Sequence, residues 1–134
     1  MIDLEHAFNN MRMSLMVKIS KMTFCAVDVP AMVTFYNAVL DADFTPLADN
    51  LPGFHQGAIA GIPTLLCPNS IAQVDARQNR QQFDFLVDDI EKTMQAVLGS
   101  GGKINESITN QNGMLVGSAY DPDGNSLVFI QPSD

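Results

Sequence analysis

The sequence lacks, or has little of, the residues that mark several common protein classes. Its 134 residues include no Trp, two Cys and 7 basic side chains against 15 acidic ones, for a formal net charge of −8 at pH 7. An acidic surface repels phosphate backbones, so we expect no nucleic-acid partner.

Cys25 and Cys67 stand far apart in the sequence, with no Cys-x-x-Cys motif. We interpret them as buried, reduced thiols of a cytoplasmic protein.

Long hydrophobic runs are also missing. No apolar stretch is long enough to span a bilayer, and acidic Asp3 and Glu5 stand where a signal peptide carries positive charge. We therefore predict no membrane association and a cytoplasmic location. The length and the 46% apolar content predict a single domain with its own core.

The first half of the chain predicts a β-α-β-β-β module over about residues 17–69. The β-branched and aromatic run at 17–27 is typical of a strand. A helix is predicted to open at Asp28-Val29-Pro30, with Asp28 or Val29 near the cap, because Pro30 is tolerated in a first helical turn. Its apolar face follows at helical spacing: Met32, Phe35, Tyr36, Val39 and Leu40. Turn-forming residues then separate three predicted strands, at 42–48, 54–60 and 62–68.

The same order of elements is predicted again over about residues 80–131. A strand at 81–87 precedes a helix, for which Asp88 and Glu91 predict a capping box. The glycine-rich stretch 99–102 ends that helix. Three more strands fit the sequence at 103–109, 113–120 and 126–130.

The two halves are interpreted as an internal repeat. Val27-Asp28 and Val87-Asp88 match at a separation of sixty positions. One copy alone could not bury both the apolar face of its helix and the apolar face of its sheet, so the copies must share a core. We predict an α+β fold in which two βαβββ modules form a cupped mixed sheet around a pocket, within one domain spanning 17–134.

Residues 1–16 form an extension before this repeat. Apolar side chains recur there at helical spacing, at Leu4, Phe8, Met11 and Leu15. An amphipathic helix and a disordered terminus are both consistent with this pattern.

Two motifs give the chain a family resemblance. The first is Asp28-Val29-Pro30 leading to Phe35-Tyr36 and Val39-Leu40, and the second is Asp121-Pro122-Asp123-Gly124-Asn125 before an apolar strand. Together they resemble the vicinal oxygen chelate superfamily, which includes glyoxalase I, the bleomycin and fosfomycin resistance proteins and the extradiol dioxygenases. The resemblance covers roughly residues 17–131. It implies a cupped fold with a pocket, and a homodimer in which the pocket is often completed across the subunit interface.

The resemblance also implies where a metal would be held. Metal-dependent members carry His, Glu or Gln on the first and last strand of each module. Counted from the motifs, these positions fall on Met22, Gln82 and Val128, with the fourth among residues 63–66. A thioether, an amide and apolar side chains do not suit a hard divalent cation. We therefore predict no metal site and no cofactor.

Strand alternation gives a set of candidate ligand-binding residues. If Phe83, Phe85 and Val87 pack against the helix, then Gln82 and Asp84 face the cup. The same parity, applied to the other strands, predicts a mostly apolar pocket lined by Met22, Phe24, Gln82, Asp84, Val128 and Ile130.

Two residues of this region are candidates for polar chemistry. Burial in an apolar cup would make Asp84 a general base or the partner of a cationic ligand. The alternative is a carboxylate in water at a strand end. His55 is a weaker candidate for the pocket mouth, and a solvated loop histidine is its alternative.

Three functions remain open at this point. The first is a metal-free small-molecule binding protein, similar to the drug-sequestering members of the superfamily. The second is a lyase- or dioxygenase-type enzyme that uses Asp84, His55 or a displaced metal site. The third is a structural or regulatory dimer with a vestigial pocket.

Overall fold

The computed structural model describes residues 18–73, 75, 78–79 and 81–132. The elements in chain order are β1 (Met22–Ala26), α1 (Val29–Leu40), β2 (Thr45–Pro46), β3 (His55–Ile59), β4 (Ile62–Pro68), α2 (Asn69–Ala72), β5 (Phe83–Leu86), α3 (Ile90–Gly99), β6 (Lys103–Gln111), β7 (Met114–Tyr120) and β8 (Ser126–Pro132). The predicted α+β class and its two βαβββ modules are confirmed. The short helix α2 was not predicted, and the predicted extension at 1–16 lies outside the described residues.

The strands form two four-stranded sheets of the same topology. Sheet A has the order β1-β4-β3-β2, and sheet B has the order β5-β8-β7-β6. In each sheet the first strand of the module runs parallel to the last strand, and the remaining pairs are antiparallel. A parallel pair needs a long crossover connection, which the helix and two intervening strands supply here.

Each of the two longer helices begins at an aspartate that caps it. The carboxylate of Asp28 accepts a hydrogen bond from the Ala31 amide at 3.1 Å, so of the two predicted caps, Asp28 and Val29, the structure has Asp28. In the second module the cap is Asp89, whose carboxylate accepts from the Lys92 amide at 3.1 Å. The predicted capping box at Asp88 is therefore wrong by one residue. The caps, at positions 28 and 89, make the structural repeat sixty-one residues long instead of sixty.

The helices cover one face of each sheet, and the core lies between them. Met32, Phe35 and Val97 of the helices are fully buried, as is Phe129 of β8. Glycine in the strands lets the core close: a Cβ on Gly117 would lie 3.0 Å from the Met94 methyl carbon of α3. The helical faces thus lie close to the sheets because small residues stand beneath them.

The two modules are joined through the turn before β8. Asp123 accepts hydrogen bonds from the backbone amides of Val27, at 2.7 Å, and Asp28, at 3.3 Å. These amides immediately precede α1, so an acidic side chain of one module binds the start of a helix in the other. Burial raises the pKa of the Asp123 carboxyl, against the lowering effect of these two amide donors.

A second contact across the modules centres on Asp121, which is buried. The Tyr36 hydroxyl of α1 donates to its Oδ2 at 2.7 Å, and the Asn125 side-chain amide donates to the same oxygen at 2.9 Å. The backbone amides of Asp123 and Asn125 donate to its Oδ1, at 3.0 and 2.9 Å. The predicted Asp-Pro-Asp-Gly turn is therefore also part of the module interface.

Aromatic side chains continue this interface between the sheets. Phe24 of β1 stacks on Phe83 of β5 with ring centroids 6.3 Å apart, and Phe24 also meets Tyr36 edge-on at 6.4 Å. Phe85 packs against Phe129 at 6.2 Å. The edge strands β1 and β5 are therefore close to each other, with α1 and α3 in contact on the same side.

Candidate functional site

The faces of the two sheets that are turned away from α1 and α3 are here called the helix-free face. In sheet B, Gly117 points toward Met94 of α3, so its alternating neighbours Val116 and Ser118 lie on the helix-free face. In sheet A, Phe24 contacts Tyr36 of α1, so Thr23 and Cys25 lie on that face.

The second module places three of the candidate residues together on the helix-free face. Asp84 of β5 is in register with Val128 of β8, and Leu86 is in register with Ile130. Val128 and Ile130 are half-buried, whereas Asp84 and Leu86 are exposed. The arrangement is a carboxylate beside an apolar surface, of which Leu86, at 73% exposure, is the most open part.

Gln82 belongs to the same neighbourhood and is held by hydrogen bonds. Its Oε1 accepts from the Ser126 hydroxyl at 2.8 Å, and its Nε2 donates to Asp84 Oδ1 at 3.4 Å. Gln82 therefore links the start of β5 to the start of β8 and lies within hydrogen-bond range of the candidate carboxylate.

Met22 and Phe24 lie elsewhere, and the parity assumed for the first strand is wrong. Both side chains pack against the core on the helix side of sheet A. The cause is the repeat length, which is sixty-one residues and not sixty. A shift of one residue in the alignment of β1 with β5 exchanges the two faces of the strand. With the caps as reference, Lys21 is the counterpart of Gln82, and Thr23 is the counterpart of Asp84. Whether any of the six candidates contacts a ligand stays a prediction.

Phe83 also departs from its predicted environment. It was expected to pack beneath the helix, but it is 43% exposed and stacks on Phe24 of the other module. Phe85 and Val87, in contrast, pack against the core as predicted.

His55 lies at the start of β3 in sheet A and is half-buried. Its Nδ1 is 3.3 Å from the carbonyl oxygen of Gly53. Because His55 is in register with the fully buried Leu66, it lies on the helix side of its sheet. The structure thus places His55 and Asp84 in different sheets and on opposite faces.

The donor set does not fit the divalent metal that the resemblance implies. In the second module the two positions are Gln82 and Val128, an amide and an alkyl group. In the first module the structural equivalent of Gln82 is Lys21, directly before β1, and its ammonium group repels a metal cation. Within the described ranges, no three His, Cys, Asp or Glu side chains come together as a metal-binding group.

A cleft of about 560 Å³ lies where the two modules meet. It runs between the end of α1 and the start of α3, and Leu86 belongs to both the cleft and the helix-free face. Its charged lining consists of Asp41, Asp88, Asp89 and Lys92. The volume is within the range of ligand pockets. Motif reasoning missed this cleft because its residues come from element ends in both modules.

The structure also brings together the two cysteines. Cys25 of β1 and Cys67 of β4 are register partners, and their sulfur atoms are 3.7 Å apart. Burial raises the pKa of the Cys67 thiol to about 11, with a further contribution from Cys25. A sequence signal existed: Cys25 is in the first strand of a module and Cys67 in the last, and these two strands are neighbours in this fold.

None of the helices in the described part of the chain has the length and hydropathy needed to cross a membrane.

Comparisons with known proteins support one family. No curated protein matches the chain in sequence. The family model of the glyoxalase-like domain matches residues 21–130.

Solved structures of related proteins share the fold at low sequence identity. A hypothetical protein, SA1046, from S. aureus is 18% identical, with a TM-score of 0.67 over 87% of this chain and 98% of that one. A glyoxalase-related enzyme from Fulvimarina pelagi is 17% identical, with a TM-score of 0.66 over 85% and 87%. The fosfomycin resistance protein FosX from Mesorhizobium loti is 17% identical, with a TM-score of 0.65 over 85% and 91%. The chain belongs to the glyoxalase-like domain family of the vicinal oxygen chelate superfamily.

Proposed function

We propose that this protein binds a small molecule without a metal, in the manner expected for the resistance-protein members of its superfamily. The observation that carries the proposal is the exposed carboxylate of Asp84 beside the apolar side chains of Leu86, Val128 and Ile130. This combination favours a ligand with an apolar body and one positive charge. The formal charge of −8 acts in the same direction, since it attracts cations over the whole surface.

The contribution of Asp84 to affinity is small but measurable. An exposed ion pair is worth roughly 0.2–1 kcal/mol, which corresponds to about a fivefold change in affinity at most. Most of the affinity would then come from apolar contact with Val128, Ile130 and the side chains around them. The cleft borders this surface at Leu86, which lines both.

A matched panel of ligands tests this proposal. Thermal-shift and calorimetric titrations would compare arylalkylamines with alcohols and carboxylic acids of the same shape. We expect the amines to raise the melting temperature most, and Asp84→Asn to weaken amine binding without affecting the alcohols.

The control is Asp41→Asn, which removes a carboxylate of the cleft at a position that is likewise exposed. If Asp41→Asn weakens the amines and Asp84→Asn does not, the ligand binds in the cleft and our placement of the site is wrong. If no member of the panel binds, the result favours the third function, a structural or regulatory dimer with a vestigial pocket.

The absence of a metal is proposed separately and has its own test. Protein purified without chelators should contain no stoichiometric divalent ion by elemental analysis. A bound zinc, nickel, manganese or iron ion at one equivalent would contradict the proposal and favour the enzymatic alternative.

We also propose a cytoplasmic homodimer that associates with neither membranes nor nucleic acid. Exposed apolar side chains support the dimer, since Val27 and Leu98 are 61% and 63% accessible in a single chain. Light scattering across a dilution series should give twice the chain mass, and a monomer at every concentration would contradict this part of the proposal.

A further inference from the structure

The cysteine pair in sheet A has the geometry of a cross-link that has not yet formed. Cys25 and Cys67 are directly opposite each other on parallel neighbouring strands, with the two sulfur atoms 3.7 Å apart. Both are free thiols; Cys25 is half-buried and Cys67 is 5% exposed. Their side chains lie on the helix-free face, opposite to Phe24 and Leu66.

The backbone already satisfies the main requirement for a disulfide. Neighbouring strands are about 4.7–4.9 Å apart, and disulfides join Cα atoms separated by about 4.4–6.8 Å. The sulfur atoms need to approach from 3.7 Å to a bond length of about 2.05 Å. Rotation about the Cα–Cβ bonds can supply this movement, so the strands need not separate or slide.

The two thiols differ in exposure, which decides the order in which an oxidant reaches them. Cys25 is the more accessible sulfur and therefore the one that an oxidant in solution meets first. Cys67 is covered, and burial keeps it protonated by raising its pKa to about 11. A covered thiol with a raised pKa is a poor first target for a peroxide, and the 3.7 Å between the two sulfur atoms is what places Cys67 within reach of an oxidised Cys25.

We propose that Cys25 and Cys67 form a reversible dithiol–disulfide site that a hydroperoxide oxidises and a low-molecular-weight thiol restores. In the first step the Cys25 sulfur attacks the peroxide oxygen, the O–O bond breaks, and Cys25 sulfenic acid and one alcohol or water molecule are formed. In the second step the Cys67 sulfur attacks the Cys25 sulfur, the S–O bond breaks, and water leaves. Reduction consumes two thiol molecules and yields their disulfide.

Two cysteines make the test simple, because the chain contains no others. Reduced full-length protein is treated with a small excess of hydrogen peroxide at neutral pH and analysed by intact mass and by alkylation under denaturing conditions. We expect the free thiols to fall from two per chain to nearly none, with a mass loss of two hydrogen atoms. Glutathione should restore both thiols.

Single variants separate the roles of the two sulfurs. In Cys67→Ser the sulfenic acid of Cys25 has no partner, so dimedone should trap it. In Cys25→Ser the covered Cys67 should give little or no dimedone adduct. The reverse pattern would overturn the assignment of the first target.

The measurement on the unaltered chain stands even if a variant fails to fold. Disulfides between chains, addition of oxygen with no cross-link, or two unchanged thiols in excess peroxide would each overturn the proposal. The result is independent of ligand binding, since none of these readouts requires a ligand.

Discussion

Replacing Tyr36 with phenylalanine removes one hydrogen bond from the buried carboxylate that joins the modules. The hydroxyl donates to Asp121 at 2.7 Å, and both residues are buried. Hydrogen bonds to charged groups contribute about 1.5–3 kcal/mol, and a buried acceptor that loses a donor is left with part of its desolvation penalty. We expect Tyr36→Phe to lower the free energy of unfolding by about 2 kcal/mol.

Urea denaturation and calorimetry measure this loss. For 134 residues an unfolding entropy of about 2.1 cal/mol/K per residue converts it into a fall of about 7 °C in the melting temperature. Tyr120→Phe is the control, because it makes the same chemical change at a half-buried position at the end of β7. We expect it to change stability by less than about 0.5 kcal/mol. An equally small change in Tyr36→Phe would refute the reasoning.

The pH dependence gives a second readout of the same contact. Burial, followed by the charge and hydrogen bond of Asp121, raises the pKa of Tyr36 far above its ordinary value. The folded chain therefore keeps this proton while the unfolded chain loses it above about pH 10. The stabilisation is complete below that pH and is lost as the pH rises above it. The difference between wild type and Tyr36→Phe should shrink accordingly.

Two further predictions concern the packing and the caps. In Gly57→Ala the new Cβ meets the backbone oxygen of Ala42, so we expect denaturation to show a free energy of unfolding lower by about 2 kcal/mol. The control is Gly99→Ala, which has no neighbouring atom within 4 Å and should change stability little. Equal effects of the two substitutions would contradict the packing argument. In Asp28→Ala the first helix loses the carboxylate that accepts from the Ala31 amide, so we expect the free energy of unfolding to fall by about 1 kcal/mol. An unchanged free energy of unfolding would show that other groups cap the helix.

The elements could be predicted because local chemistry specifies them. Pro30 in the first turn and the spacing of Met32, Phe35 and Tyr36 allow few alternatives to a helix, and the structure has one at Val29–Leu40. The turn at Asp121-Pro122-Asp123-Gly124 was equally recognisable. Its contacts with Tyr36 and Val27 were not, because they join residues at least 85 positions apart.

Only part of the candidate site was predicted correctly, because the sequence comparison aligned the two modules one residue out of register. Asp88 and Asp89 are both reasonable caps in the sequence, and the choice between them decides which face β1 presents. With Asp88 as the reference, Met22 and Phe24 point into the cup; with the observed Asp89, they point into the core. The second-module residues needed no such comparison, since Phe85 and Val87 fix the faces of β5 by themselves.

The contact between Asp123 and the start of α1 has a consequence for synthesis on the ribosome. The amide of Val27 is made 96 residues before the carboxylate that binds it. At about 5–20 residues per second, this amide is made roughly 5–20 s before its partner exists. During that interval the Asp28 carboxylate is the side-chain cap of α1, and in its first part Phe24 also lacks the ring of Phe83, which has not yet been made. The start of α1 therefore gains its full set of hydrogen-bond partners only after the second module has been synthesised.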